Sequence, residues 1–414
     1  MLSGNTITLL SPNVISSLKV QNMSNLSIDF AGMRFPNPFM LASAPPARTA
    51  GMIKRAFAAG WGGAVTKTIG LEPAQDLQPR LQPLNYHKRN VGLENIELIS
   101  QLTVAEWQGE IAEVKSAYPD RPLWASIMAS LVKEDWQRLV EALQEAGPDA
   151  FELNVSCPHG MPNKGMGAFI GQNAELTGQV VAWVKAVAKV PVVVKLTPNV
   201  TDIAFVARAA KENGADALCA TNTVSGLIGV DLDSLTPLPA VGGVSTYGGY
   251  SGPGIKPIAL RCVAQIAKAT GLPVSGLGGL STWQEAVEFI AVGASTVQVG
   301  TAVMWNGYGI IEKLTEGLSH YLEQKGFPNL EAIVGAALPK IVEFPQVPLT
   351  SRSRASVDDT CNGCLLCVTA CADGGYQAIT GVKGEVVTMD GAKCDGCGLC
   401  VMVCPLGSIT MAPR

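Results

Sequence analysis

Eight cysteines fall into two runs of one spacing: Cys361, Cys364, Cys367, Cys371, then Cys394, Cys397, Cys400, Cys404, each C-x-x-C-x-x-C-x-x-x-C. A loop so spaced wraps three thiolates around a cube of iron and sulfide, and the fourth cysteine, expected to start the next helix, reaches the other cube. The runs therefore predict two [4Fe–4S] clusters with crossed ligation. Cys361, Cys364, Cys367 and Cys404 hold one, and Cys394, Cys397, Cys400 and Cys371 the other. Pro405 follows the last cysteine as such runs usually require, whereas Ala372 stands where the first run would have proline. Structural zinc is the alternative use of these thiolates, but two zinc ribbons leave the matched gaps and the proline unexplained. Clusters of this kind carry single electrons, so the rest of the chain must hold their source or their destination.

The chain has 414 residues, 47% hydrophobic and 15% charged, with a net charge of −4. That is enough for two domains with a large buried core. No basic stripe exists to track a phosphate backbone, which argues against nucleic acid as a partner. The first cationic side chain is Lys19, and the longer apolar stretches are broken by Lys, Asp or Pro, so the expectation is a soluble protein without membrane contact. Cys157, Cys219 and Cys262 are scattered, which fits a reducing compartment, the cytosol, better than a disulfide framework.

Chemistry needs elements to position it. Eight short apolar runs alternate with stretches of helical period: 38–44, 62–68, 122–128, 150–156, 191–197, 217–223, 273–279 and 296–302. Continuous Val, Ile and Ala runs suit parallel strands buried on both faces, and eight of them predict a (β/α)8 barrel of the TIM type. An open doubly wound sheet would carry G-x-G-x-x-G after its first strand, but Ala44 is followed by Pro45-Pro46-Ala47-Arg48. The predicted organisation is an N-terminal extension over 1–25, a barrel over 26–340 with helix continuing from 303, a linker over 341–355, and a ferredoxin-like module over 356–414. A hairpin within 378–389 would join the two cluster loops.

Barrel enzymes place reactive residues at the C-terminal ends of strands. Here the polar residues fall at those ends: Thr66-Lys67-Thr68, Asn154-Val155-Ser156-Cys157-Pro158-His159-Gly160, Lys195-Leu196-Thr197 and Thr221-Asn222-Thr223. Ser251-Gly252, Gly278-Gly279 and Gly300-Thr301 cluster near the seventh and eighth strands, where such barrels bind phosphate through closely approaching backbone. Taken singly, each of these glycines is equally a turn residue.

With Ala42-Ser43-Ala44-Pro45-Pro46 and Asn95-Ile96-Glu97-Leu98, these motifs resemble the dihydroorotate and dihydropyrimidine dehydrogenases, which are FMN barrels. The likeness runs over about 26–340, and the cluster tail makes the dihydropyrimidine branch the nearer one. The resemblance implies FMN contacts from Ala42, Ser43, Lys67, Thr68, Lys195, Ser251, Gly252, Gly278, Gly279, Gly300 and Thr301. It implies that Asn95, Asn154, Asn222 and Thr223 bind a pyrimidine ring; Asn90 competes with Asn95, which is preferred on resemblance alone. Cys157, on a glycine-rich loop over 158–171, would protonate carbon 5 while flavin hydride reaches carbon 6. A thiol titrating near about 8.5 is protonated at neutral pH and suits that role. Lys67 and Lys195 would face the flavin, or form structural ion pairs. His159 is given no catalytic role, and Cys219 and Cys262 read as packing residues.

No dinucleotide fingerprint occurs in the chain. The resemblance therefore implies a partner subunit carrying FAD and the NAD(P)H site, with electrons crossing the two clusters to the FMN. Two other readings stand beside this one: a dihydroorotate dehydrogenase with its own cluster tail, and an electron-transfer subunit with no substrate. The former usually follows Asn-x-Ser-Cys-Pro with Asn, where this chain has His159.

Overall fold

A computed structural model describes residues 25–159, 165–350 and 352–414. The N-terminal extension, apart from residue 25, lies outside them, as does the 160–164 part of the glycine-rich loop. Two compact units meet between Lys340 and Ile341.

In the first unit eight parallel strands close into a barrel: β1 Phe39–Leu41, β2 Gly63–Val65, β3 Leu123–Ile127, β4 Ala150–Asn154, β5 Val192–Leu196, β6 Ala217–Ala220, β7 Val274–Leu277 and β8 Ala294–Val299. They are shorter than the apolar runs that predict them, because the runs include the loop residues at the strand ends. Each strand is followed by a helix: α1 Ala50–Ala59, α2 Val104–Ala117, α3 Lys133–Gln144, α4 Ala174–Lys185, α5 Ile203–Glu212, α6 Lys256–Thr270, α7 Trp283–Ala291 and α8 Ile310–Lys325. Every residue of β3, β4, β5 and β6 is buried, as strands covered by helices outside and side chains inside must be. Thr103 with Glu106, and Thr282 with Glu285, form capping boxes that start α2 and α7. The helix expected through 303–340 ends at Lys325, where Gly326 takes up a left-handed conformation that terminates it. A hairpin of Ile28–Phe30 and Met33–Phe35 packs Phe30 on Trp124 of β3, ring centroids 5.2 Å apart.

The connections β2–α2 and β6–α6 together build a second, antiparallel sheet in the order Val224–Gly226, Gly248–Ser251, Arg89–Asn95, Leu81–Tyr86. The alternation of apolar runs gives no hint of it, because its strands are polar and half of them face solvent. Gly249 lies opposite Asn95, and a Cβ there would come within 2.2 Å of Thr223 Oγ1, so only glycine lets the two strands and Thr223 meet.

Glu94, on the opposite face from Leu93 and Asn95, is fully buried, and neither carboxylate oxygen has a hydrogen-bond partner among the described residues. Burial lifts its pKa from 4.5 to about 7, against a weaker downward pull from the Ile228 and Gly248 backbone, which does not reach hydrogen-bond geometry. The folded state thus holds this proton more tightly than the unfolded chain, and the associated stability is full below pH 4.5 and lost as pH rises through about 7. Glu94→Gln is expected to raise thermal stability above pH 7 by roughly 1–3 kcal/mol and to change it little at pH 4, which melting curves at the two pH values would check.

In the second unit Ser353–Val357 pairs antiparallel with Ile409–Pro413, so residues read as linker are a strand. Only Ala355 of that strand is buried, and this weak alternation explains why the sequence hides it. Ile379–Thr380 pairs with Thr388–Met389 as a hairpin between the cysteine runs. The helices Leu366–Gly374 and Leu399–Val403 begin one residue before the third cysteine of each run rather than at the fourth. Cys371 therefore sits a turn inside its helix, and Cys404 directly follows the end of its own. No helix among the described residues is long and apolar enough to cross a membrane.

Candidate functional site

A cavity opens at the C-terminal ends of the barrel strands, where this architecture places its chemistry. Its lining includes Cys157, Asn95, Asn154, Asn222 and Thr223, together with Ala42, Ser43, Lys67, Thr68, Lys195, Ser251, Gly252, Gly278, Gly279, Gly300 and Thr301. The catalytic, ring-binding and flavin-binding candidates chosen from sequence thus meet on one surface. Asn90, at the far end of its strand, is exposed and not part of that lining. Cys219 and Cys262 are buried.

The amides are held by one another. Asn154 donates to Thr68 Oγ1 at 2.9 Å, and its Oδ1 accepts from Ser156 Oγ at 3.1 Å and from Asn222 Nδ2 at 3.3 Å. Asn222 also donates to Ser156 Oγ at 2.9 Å, and Asn95 donates to the Gly249 carbonyl at 3.0 Å across the antiparallel sheet. Thr301 donates to Ser251 Oγ at 2.8 Å, tying the end of β8 to that same sheet. At Gly279 a Cβ would meet the Gly252 carbonyl at 2.7 Å and the Lys256 nitrogen at 2.9 Å, and its φ of +79° already favours glycine.

Both lysines are buried and paired. Lys67 Nζ lies 3.0 Å from Glu97 Oε2, and Lys195 Nζ lies 3.4 Å from Glu152 Oε1. Glu97 also binds Arg48 and, at 3.2 Å, Arg80, while Asp76 lies 3.5 Å from Arg48 and 3.6 Å from Arg80. Burial lowers the Lys67 pKa against the opposing pull of Glu97. For these lysines the structural ion pair and the place on the cavity wall hold together.

Cys157 is 8% exposed, and its thiol donates to the His159 carbonyl at 3.4 Å. Burial pushes its pKa up, opposed by the His159 backbone contact and by Lys67 and Lys195, so the group is a thiol at neutral pH. His159 Nε2 faces the Glu97 carbonyl at 2.8 Å and must carry the hydrogen there, which leaves Nδ1 as the bare nitrogen of a neutral ring. Burial lowers its pKa as well.

Sequence reasoning passed over Glu97, Glu152 and Gln298. A signal existed for the last two, since charged or amide side chains inside runs as apolar as β4 and β8 need partners. Glu97 lay inside a quoted motif, but its role depends on arginines that only the fold brings to it.

In the second unit one cavity is lined by Cys361, Cys364, Cys367 and Cys404, and another by Cys371, Cys394, Cys397 and Cys400. Each draws three cysteines from one run and the fourth from the other. No three His, Cys, Asp or Glu side chains among the described residues close on a point tightly enough for a single metal ion.

Comparison with known proteins agrees with this architecture. The chain is 40% identical over 360 residues to the NAD-dependent dihydropyrimidine dehydrogenase subunit PreA of Escherichia coli K12, covering 86% of this chain and 87% of that one. It is 39% identical over 336 residues to the chloroplastic dihydropyrimidine dehydrogenase (NADP(+)) of Arabidopsis thaliana, 78% of this chain and 79% of the relative. It is 41% identical over 315 residues to the catalytic subunit of dihydroorotate dehydrogenase B (NAD(+)) of Pyrococcus abyssi, 76% of this chain and 99% of the relative. Residues 355–411 match the 4Fe-4S dicluster domain. With residues 25–322 matching the dihydroorotate dehydrogenase model, the chain belongs to the dihydroorotate dehydrogenase family and carries a 4Fe–4S dicluster domain later in its sequence.

Proposed function

We propose that this chain is the pyrimidine-reducing subunit of an NAD-dependent dihydropyrimidine dehydrogenase, converting uracil or thymine to the 5,6-dihydro form. The carrying observation is the make-up of the cavity wall. It offers the asparagines Asn95, Asn154 and Asn222 and a protonated thiol, and among the described residues its lysines are already matched by carboxylates. A neutral ring with two carbonyls and two N–H groups is satisfied by amides, which both donate and accept. A ring carboxylate, as in orotate, calls for a cation not already spent on the protein's own acids. The dihydropyrimidine names of two relatives support the same choice.

The cavity's paired lysines and the close backbone approach at its glycines suit flavin mononucleotide, with the strand-end residues Ala42, Ser43, Lys67, Thr68, Lys195, Ser251, Gly252, Gly278, Gly279, Gly300 and Thr301 holding it. When bound, that flavin supplies the hydride for carbon 6 of the pyrimidine. Asn95, Asn154, Asn222 and Thr223 orient the ring, and their mutual hydrogen bonds fix them beforehand. Cys157 delivers its proton to carbon 5, and its buried, neutral thiol is the donor form. The two cysteine-lined cavities support crossed ligation of two [4Fe–4S] clusters. The sequence lacks G-x-G-x-x-G, so NADH is oxidised on a partner subunit that carries FAD and the nicotinamide site.

Uracil and orotate turnover by the purified, cofactor-loaded chain tests the reading, first with a chemical reductant and then with NADH. Reduction of uracil with the chemical reductant alone is the expected result. Turnover of orotate in preference to uracil would move the chain to the dihydroorotate branch, and turnover with NADH alone would remove the need for a partner.

A further inference from the structure

Behind the cavity wall, one asparagine holds the stretch of chain that carries a ring-binding side chain. Asn199 follows Thr197-Pro198 beyond the end of β5, and among the described residues it is not part of the cavity lining. Its Nδ2 donates to Thr197 Oγ1 at 3.0 Å and to the Thr223 carbonyl at 3.1 Å, and its Oδ1 accepts from the Ser225 N–H at 2.9 Å. Its backbone N–H donates to the same Thr197 Oγ1 at 3.2 Å, and its carbonyl accepts from Gln172 Nε2 at 3.2 Å. Both amide hydrogens and the amide oxygen are therefore placed. A carbonyl only accepts and a backbone N–H only donates, so the amide cannot turn over and keep these bonds.

The two bonds bracket Thr223 to Ser225, where the chain leaves β6 for the antiparallel sheet. Asn222 has anchors of its own, its N–H donating to the Leu196 carbonyl at 3.1 Å and its side chain to Asn154 and Ser156. The Thr223 hydroxyl has none of that strength. Among the described residues it makes one long hydrogen bond, 3.4 Å to Asn222 Oδ1, although Thr223 lines the cavity. Beside it stands Gly249, which has no side chain to brace it. The direction of the hydroxyl is thus set by the Thr223 backbone, and Asn199 is what fixes that backbone. We propose that Asn199 is a positioning residue for the pyrimidine: by holding the Thr223 carbonyl and the Ser225 N–H, it keeps the Thr223 hydroxyl turned to the ring. This rests on the pyrimidine reading above.

The test is uracil binding by the full, cofactor-loaded chain, run as a double-substitution cycle. Thr223→Val, which removes the hydroxyl and keeps the shape, is expected to weaken uracil binding about tenfold, the worth of one well-made hydrogen bond. Asn199→Ala should weaken it as much with Thr223 intact, and adding Thr223→Val should then cost less than about twofold more, because the hydroxyl is already lost to the ring. Asn199→Asp keeps the size and the acceptor for Ser225 but cannot donate to the Thr223 carbonyl, so it should match Asn199→Ala, which loss of packing would not produce. Turnover at saturating uracil should stay within about twofold in these variants, since the proton donor is untouched. Wild-type uracil affinity in either Asn199 variant, or a Thr223→Val cost that is equal in both backgrounds, would overturn the inference even if uracil reduction stands. Turnover lost with uracil affinity unchanged would overturn it too, as would a Thr223→Val chain that binds like the wild type. Should Asn199→Ala fail to fold, the cycle built on Asn199→Asp decides. No uracil binding by the wild type would overturn the proposed function and this inference with it.

Discussion

Cys157→Ala is expected to lower uracil reduction by a factor of about 10²–10⁴, the usual worth of a positioned general acid, while cluster content and flavin binding stay at wild-type levels. Alanine fits without strain, since among the described residues the thiol makes a single hydrogen bond, to the His159 carbonyl, and packs with Ile99 and Met128. An electron carrier without its own substrate would lose nothing, so the same variant separates the two classes of function. The pH profile carries the sign of the mechanism. Burial raises the Cys157 pKa above that of an ordinary thiol, so the proton-donating form persists across neutral pH, and reduction should stay level there and fall only in the alkaline range. The reverse oxidation needs the thiolate and should rise over that range. A reduction rate that climbs steadily from neutral to alkaline pH would contradict the role given to this thiol.

The second large effect concerns the cysteine runs. Cys404→Ala is expected to remove about half of the iron, because it takes a ligand from one of two four-iron clusters. Crossing makes the pairings of variants informative. Cys361→Ala combined with Cys404→Ala should lose no more iron than either alone, since both lie on one cavity, whereas Cys361→Ala with Cys371→Ala should lose nearly all of it. Uncrossed clusters would give the opposite pairing, and iron and sulfide assays on the double variants would read the difference.

The barrel was legible because its strands are buried on both faces and so are written as unbroken apolar runs, and because chemistry in this architecture gathers at strand ends. Cys157, Asn154, Asn222 and the two lysines followed from that rule, whereas Asn95, on the antiparallel sheet, came from resemblance alone. The antiparallel sheet was not legible. Leu81–Tyr86 is mostly exposed and contains Pro83, and Val224–Gly226 is three residues long, so neither carries the alternation that marks a strand. The partners of the lysines were hidden for another reason. Glu97 and Glu152 acquire meaning only from residues far away in the chain, and spacing along a sequence does not encode such meetings. In the cluster unit the cysteine spacing marked out the two sets of four that line the cavities but placed the helix starts about one turn late.

The sheet over the barrel mouth also sets an order of events during synthesis. Asn95 is seated by the Gly249 carbonyl, 154 positions later in the chain, and Thr223 and Ser251 come from that same late segment. While a ribosome has made only the first half of the barrel, the strand bearing Asn95 has no inner neighbour to pair with. The wall that would grip the pyrimidine is therefore completed only after the sixth barrel strand and its long connection have emerged, and contacts of such sequence separation form slowly. A nascent chain can bury its hydrophobic strands early, yet it cannot recognise a pyrimidine until most of the barrel has been translated.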